Sequence, residues 1–179
     1  KKTLGTGILA GYAYADTNSP SHIIKGIKTT KNCTVIGQND TGGIVGDASN
    51  LNLENCENHS SVKGTRFVGG IAGSSEKNIK RCTNYGTVEN NNSYIGGIIG
   101  YAYDTSIEDC ANYGKITSTG CAGGIAGQSF FNCSIQNVFS YGDVTNTNDN
   151  PGIIIGNILG GTPTAKGIAA YNKEALLNN

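Results

Sequence analysis

The sequence predicts an all-β protein, a right-handed parallel β-helix (β-solenoid) of about five coils of roughly 27 residues each. Three observations predict it. The pentapeptide Gly-Gly-Ile-x-Gly returns at Gly42 to Gly46, Gly69 to Gly73, Gly96 to Gly100 and Gly123 to Gly127, with a degenerate copy at Gly152 to Gly156. Its isoleucines, Ile44, Ile71, Ile98, Ile125 and Ile154, are separated by 27, 27, 27 and 29 residues. Locked in phase with them runs a segment of period-2 apolar alternation, and no helical stripe of useful length precedes the last dozen residues. A period of this size marks one supersecondary unit stacked on copies of itself. A propeller blade needs about 40 residues for its four strands, so the unit is a solenoid coil with equivalent positions about 4.8 Å apart. The right hand follows from the chirality of parallel β crossovers.

In chain order, residues 1–23 read as an irregular N-terminal lead-in or cap. Residues 24–160 hold the repeats, and 161–179 a closing segment expected to contain a short helix. Within each coil an apolar residue is followed three positions later by another: Ile24/Ile27, Leu53/Cys56, Ile79/Cys82, Ile107/Cys110 and Ile135/Val138. Counting from the second member, Asn58, Asn84, Asn112 and Ser140 stand at plus two. His59, Tyr85, Tyr113 and Tyr141 follow at plus three. Ser60, Gly86, Gly114 and Gly142 come next, and Val62, Val88, Ile116 and Val144 stand at plus six. Positions 0, plus two, plus four and plus six share one parity, the signature of a strand with one face inward. The apolar residue at minus three breaks that parity, so a corner or bulge lies between it and the cysteine. Each unit is therefore expected to give about three short strands separated by polar turns.

Stacking predicts columns. Ile44, Ile71, Ile98, Ile125 and Ile154 form one inward column, and Cys56, Cys82 and Cys110 another. Asn58, Asn84 and Asn112 form a third whose amides bond along the stack, as in cross-β ladders. In-register parallel side chains have poor disulfide geometry, so the three column cysteines are expected as buried free thiols. Cys33, Cys121 and Cys133 fall in three other phases, and their pairing is left open.

Thirteen basic and thirteen acidic residues cancel, with no basic stripe for nucleic acid and no apolar run long enough to span a membrane. Isoleucines held in phase argue against disorder despite 27 glycines. The Lys1-Lys2 start, without methionine or signal peptide, reads as an excised or processed piece of a longer protein. Asn-x-Ser/Thr sites at Asn32, Asn39, Asn58, Asn91 and Asn132 are close to the number chance supplies.

Chemistry is sparse. No Cys-x-x-Cys or Cys/His cluster offers a metal site, and neither His-Glu-x-x-His nor Gly-x-Ser-x-Gly occurs. Asp47, Ser74, Tyr101 and Gln128 follow the last glycine of successive motifs, so no acidic column forms for calcium. No cofactor is expected. Glu54, Lys80/Arg81 and Glu108/Asp109 fall on neighbouring coils, which gives either a mixed-charge active cluster or, preferred, a ladder of surface ion pairs. Tyr85, Tyr113 and Tyr141 form an outer ladder, readable as a surface that binds sugar rings or an apolar partner, or as rings that seal the sheet. Tyr12/Tyr14 and Tyr101/Tyr103 share a Gly-Tyr-Ala-Tyr phrase.

The Gly-Gly-Ile-x-Gly core, followed by Ile-x-x-Cys-x-Asn-Tyr-Gly-x-Val/Ile, resembles the GLUG motif of bacterial cell-surface proteins, including adhesins and non-catalytic regions of immunoglobulin A-cleaving metallopeptidases. The residues carrying the resemblance are Gly42, Gly43, Ile44, Gly46 and their counterparts through Gly127, with the triplets at Asn84 and Asn112. It covers roughly residues 24 to 156, and Thr164 to Leu177 is similar to the segment that follows the last such repeat. The resemblance implies an extracellular or cell-surface location and carries over no catalytic residue. The expected function is a non-enzymatic segment acting in adhesion or as a stalk. A host glycan or matrix protein would be its partner, or another copy bound through the solenoid ends. A filament-forming unit and a polysaccharide-processing β-helix enzyme are the alternatives.

Overall fold

A computed structural model describes residues 5–16, 22–148 and 151–170. Among them there are twenty-six strands and no helix, arranged as a parallel β-solenoid of about five turns. Each full turn contributes five short strands, as in Val45–Ser49, Leu51–Glu54, Glu57–Asn58, Ser61–Gly64 and Phe67–Gly69. Like strands of successive coils pair in parallel, building five sheets of six, six, five, five and four strands. Register follows the sequence phase: Ile24, Leu53, Ile79, Ile107 and Ile135 stand in one column of pairs.

Five strands per coil replace the expected three because single residues turn the chain sharply. Asn55, Arg81, Asp109 and Asn137, each just before the second apolar residue of its pair, have φ of 51°, 53°, 54° and 51°. A left-handed residue there ends the second sheet and restarts the third, resolving the parity break.

The alternation places Cys56, Asn58, Ser60 and Val62 inward, and likewise Cys82, Asn84, Gly86 and Val88. Ile44, Ile71, Ile98 and Ile125 are fully buried, each contributing about 1.5–3 kcal/mol by leaving water. Ile154, in the last coil, is only partly buried. A second cluster of Val62, Val68, Val88, Ile95 and Ile116 fills the space inside the fourth and fifth sheets.

The two halves of the repeat fit each other across the core. A Cβ built on the second glycine of the pentapeptide would lie 2.5 Å from the side-chain amide of Asn58 at Gly43, and 2.3 Å from those of Asn84 and Asn112 at Gly70 and Gly97. The same Cβ would also meet the backbone oxygen of the glycine one coil on, at 2.2 or 2.3 Å. Glycine is required there by close approach, not by φ.

Both ends contribute strands to the solenoid sheets. In the lead-in, Ala10–Tyr14 pairs with Val45–Ser49 and His22–Lys25 with Leu51–Glu54, so this stretch adds strands to the first two sheets. In the closing segment, Thr164–Lys166 and Ala169–Ala170 extend the second and third sheets. Residues 171–179, the rest of that segment, lie outside the described residues.

Candidate binding surface

The third sheet carries a polar ladder on its inner side and an aromatic one on its outer side. Inside, the Asn58 amide donates to Asn84 Oδ1 at 2.8 Å, and the Asn84 amide donates to Asn112 Oδ1 at 2.8 Å. Each Nδ2 also donates to a backbone oxygen two residues on, Ser60, Gly86 or Gly114, at 2.9–3.0 Å. Thr29 closes one end, its hydroxyl donating to Asn58 Oδ1 at 2.8 Å. All three asparagines are fully buried, so these bonds fix the coils in register.

The next residue in each coil points outward. His59 stacks on Tyr85 at 4.6 Å and Tyr85 on Tyr113 at 5.2 Å, with interplanar angles of 14° and 7°. Tyr141 departs from the stack: its ring is tilted 48° to Tyr113 at 6.3 Å, while Phe139 lies 5.8 Å from Tyr113 and 6.1 Å from Tyr141. The three tyrosines are 47%, 44% and 50% exposed. Because Tyr85 and Tyr113 cover each other's faces, a partner meets mainly ring edges and phenol hydroxyls. At the foot of the stack Glu57 accepts from Lys28 Nζ at 2.7 Å and lies 3.2 Å from His59 Nε2. These bonds, that to Lys28 first, hold the Glu57 carboxyl below its ordinary range and raise Lys28.

The charged columns are paired among themselves. Lys80 bonds Glu108 at 2.8 Å, Arg81 bonds Glu54 at 3.1 Å and Asn55 at 2.8 Å, and Asn137 donates to Asp109 at 3.2 Å. Glu54, Lys80/Arg81 and Glu108/Asp109 are thus joined in a cross-coil ladder. On the fourth sheet Lys63 pairs with Glu89 at 2.9 Å beside a shallow groove that also includes Asn90 and Thr117.

Among the described residues no cysteine forms a disulfide, and Cys56, Cys82, Cys110 and Cys133 are buried. Contact with the Cys110 sulfur, together with burial, pushes the Cys82 thiol up to about 12. Contact with Cys82 and then burial push Cys56 up as well.

A second aromatic surface went unnoticed in the sequence. Where the fifth sheet turns into the first, Phe67 stacks on Tyr101 at 4.7 Å and on Tyr94 at 5.8 Å, with the Arg66 guanidinium 4.5 Å from its ring centre. Burial pushes the nearby Asp40 carboxyl up, and Asp47 adds to the effect, while the Ser74 hydroxyl and Arg66 oppose it. The signal was present in phase: Asp40, Phe67, Tyr94 and Cys121 each stand two residues before a pentapeptide.

Parallel in-phase coils, an internal asparagine ladder and a glycine-pinched turn define a β-solenoid repeat protein. The profile of the GLUG motif matches residues 91–117, one unit of the stack. No curated protein matches the chain. Among solved structures, that of a candidate immunoglobulin A1 protease from Bacteroides ovatus, at 1.30 Å resolution, is similar at a TM-score of 0.70 and 24% sequence identity. The match covers 98% of this chain and 58% of that one, so this chain spans less than two thirds of that protein's length. The GLUG repeat here is thus part of a solenoid whose fold that protein shares.

Proposed function

We propose that this chain is a non-enzymatic solenoid segment of a bacterial surface or secreted protein, acting in adhesion or as a stalk that projects other domains. The observation that carries the reading is the outer column Tyr85, Tyr113 and Tyr141, close to half exposed on three successive coils. The neighbouring charged groups are occupied with one another, Lys28 with Glu57, Lys80 with Glu108 and Arg81 with Glu54, which supports a contact surface over a pair of catalytic carboxylates. The partner is a host glycan or matrix protein that meets ring edges and phenol hydroxyls. A binding array of glycans and matrix proteins, run where the protein is monomeric, tests this. Selective binding that disappears in the triple Tyr85→Ala, Tyr113→Ala, Tyr141→Ala variant, with the circular dichroism spectrum kept, supports adhesion. Binding unchanged in that variant overturns the assignment of the surface, and no binding at all leaves the stalk role.

End-to-end assembly is a second reading, favoured by exposed apolar residues near the two ends, Ile8, Leu9 and Ile23 at one and Ile153, Ile158 and Leu159 at the other. Light scattering across a dilution series tests it: a mass that stays monomeric at every concentration refutes it.

A further inference from the structure

One corner of the solenoid departs from the chemistry of its neighbours. Where the chain leaves the first sheet, Asn50, Asp104 and Phe131 have φ of 58°, 47° and 61°. Asparagine and aspartate enter this left-handed region readily, and a bulky side chain does so only under strain. One coil further on the same stretch carries Gly160 and Gly161, with φ of 70° and 68°. Phe131 thus holds a position suited to Asn or Gly, yet its ring is 44% exposed. Burial does not account for it. A strained backbone is being used to present an aromatic ring, and such strain concentrates at functional sites.

Tyr103 and Phe130 stand in register on adjacent coils and flank this ring. Phe131 meets Tyr103 at 5.3 Å and 66°, and Phe130 at 4.6 Å and 84°. These edge contacts contrast with the parallel Tyr85–Tyr113 stack, where each ring covers the other's face. The rim is polar. The Asp104 amide donates to the Phe130 carbonyl at 3.1 Å, which sets Asp104 one coil below Phe131. Asp104 and Asn132 are both exposed, and their side chains have no hydrogen-bond or ion-pair partner among the described residues.

We propose that this corner, Tyr103, Phe130 and Phe131 with Asp104 and Asn132 on its rim, is a subsite for one neutral pyranose of a carbohydrate. A pyranose has an apolar C–H face that fits an aromatic ring and a circumference of hydroxyls that need acceptors and donors. Phe131 supplies the ring, the Asp104 carboxylate accepts, and the Asn132 amide does both. The carboxylate repels uronic and sialic acids, so the sugar is uncharged. The site is separate from the tyrosine column and does not depend on it.

Affinity electrophoresis of the whole chain through gels containing mannan, β-glucan or galactan tests the proposal, with heparin as an anionic comparator. At least one neutral polysaccharide is expected to retard the protein. Phe131→Asn should weaken that retardation by about tenfold or more. Its melting temperature should move by less than about 4 °C, because relief of backbone strain offsets the lost edge contacts. Asp104→Asn keeps a residue that Asn50 shows to be compatible with the corner, and should weaken retardation several-fold. That variant decides the matter if Phe131→Asn proves unstable. Ile36→Ser, at an exposed position of the fourth sheet, should leave retardation unchanged. Retardation by heparin alone, by none of the polysaccharides, or undiminished in Phe131→Asn and Asp104→Asn would overturn the proposal.

Discussion

Replacing Asn84 with alanine removes the middle rung of the internal ladder. Its side chain takes part in four hydrogen bonds: it donates to Asn112 Oδ1 and the Gly86 oxygen at 2.8 and 2.9 Å, and accepts from Asn58 Nδ2 and the Gly86 amide at 2.8 and 3.2 Å. At about 1 kcal/mol net for each bond, the loss is about 4 kcal/mol. The cost falls between coils, because Asn84 joins the coil below to the coil above, so the variant should also melt less cooperatively. For a chain of this size the melting temperature should drop by roughly 8–16 °C. Thermal and urea unfolding followed by far-ultraviolet circular dichroism reads this directly. Ser140→Ala is the control, since the Ser140 hydroxyl is buried and makes no hydrogen bond among the described residues. It should change stability by less than about 0.5 kcal/mol. An Asn84→Ala loss below about 1 kcal/mol would refute the idea that the ladder holds the coils together.

Ser140→Asn should extend the ladder by one rung and stabilise the protein by about 1–2 kcal/mol in the same melts. Gly124 already faces position 140 as Gly70 faces Asn84, so the space exists. The raised Asp40 carboxyl binds its proton more tightly when folded, so its contribution to stability is present at low pH and is lost as pH rises through its folded value. Asp40→Asn should therefore melt higher than the parent at pH 7, with the difference vanishing as pH falls toward 3.8, the ordinary aspartate value; equal melting at pH 7 would argue against it. Native iodoacetamide labelling at pH 8, read by peptide mass spectrometry, should modify exposed Cys33 and spare Cys56, Cys82, Cys110 and Cys133 until urea is added. Labelling of Cys82 in the folded protein would contradict its burial.

Much of the fold was legible because stacking forces like residues into like positions. The alternation from Cys82 through Asn84 and Gly86 to Val88 could be read as one inward face without coordinates. The count of strands could not: it depends on left-handed backbone at Asn55, Arg81, Asp109 and Asn137, and arginine gives no sign of it. The strand at Ala10–Tyr14 was hidden because its glycine motif is degenerate, although Gly11–Tyr14 repeats the Gly-Tyr-Ala-Tyr of Gly100–Tyr103. Thr164–Lys166 carries no apolar alternation of its own and is a strand because Ser134–Gln136 offers it an edge. The three outer tyrosines were visible as a column, but Phe139, which lies beside the tilted Tyr141, belongs to another phase of the repeat. The Phe67–Tyr101 contact joins residues on different sheets and different coils, a proximity that single-column reading does not reach.

The asparagine ladder has a direction. The amides of Asn58 and Asn84 both donate toward the later coil, to Asn84 and Asn112, so the side-chain dipoles add along the axis as peptide dipoles do along a helix. Thr29 ends the series as a capping residue ends a helix: its hydroxyl fills the Asn58 acceptor and receives the His59 amide at 2.8 Å. A hydroxyl at that place offers no amide to pass the pattern backward. A duplicated coil inserted between Asn58 and Asn112 would therefore lengthen the rod in phase. The same coil placed ahead of Thr29 would meet a terminated chain of dipoles, and two rods set head to head would oppose theirs.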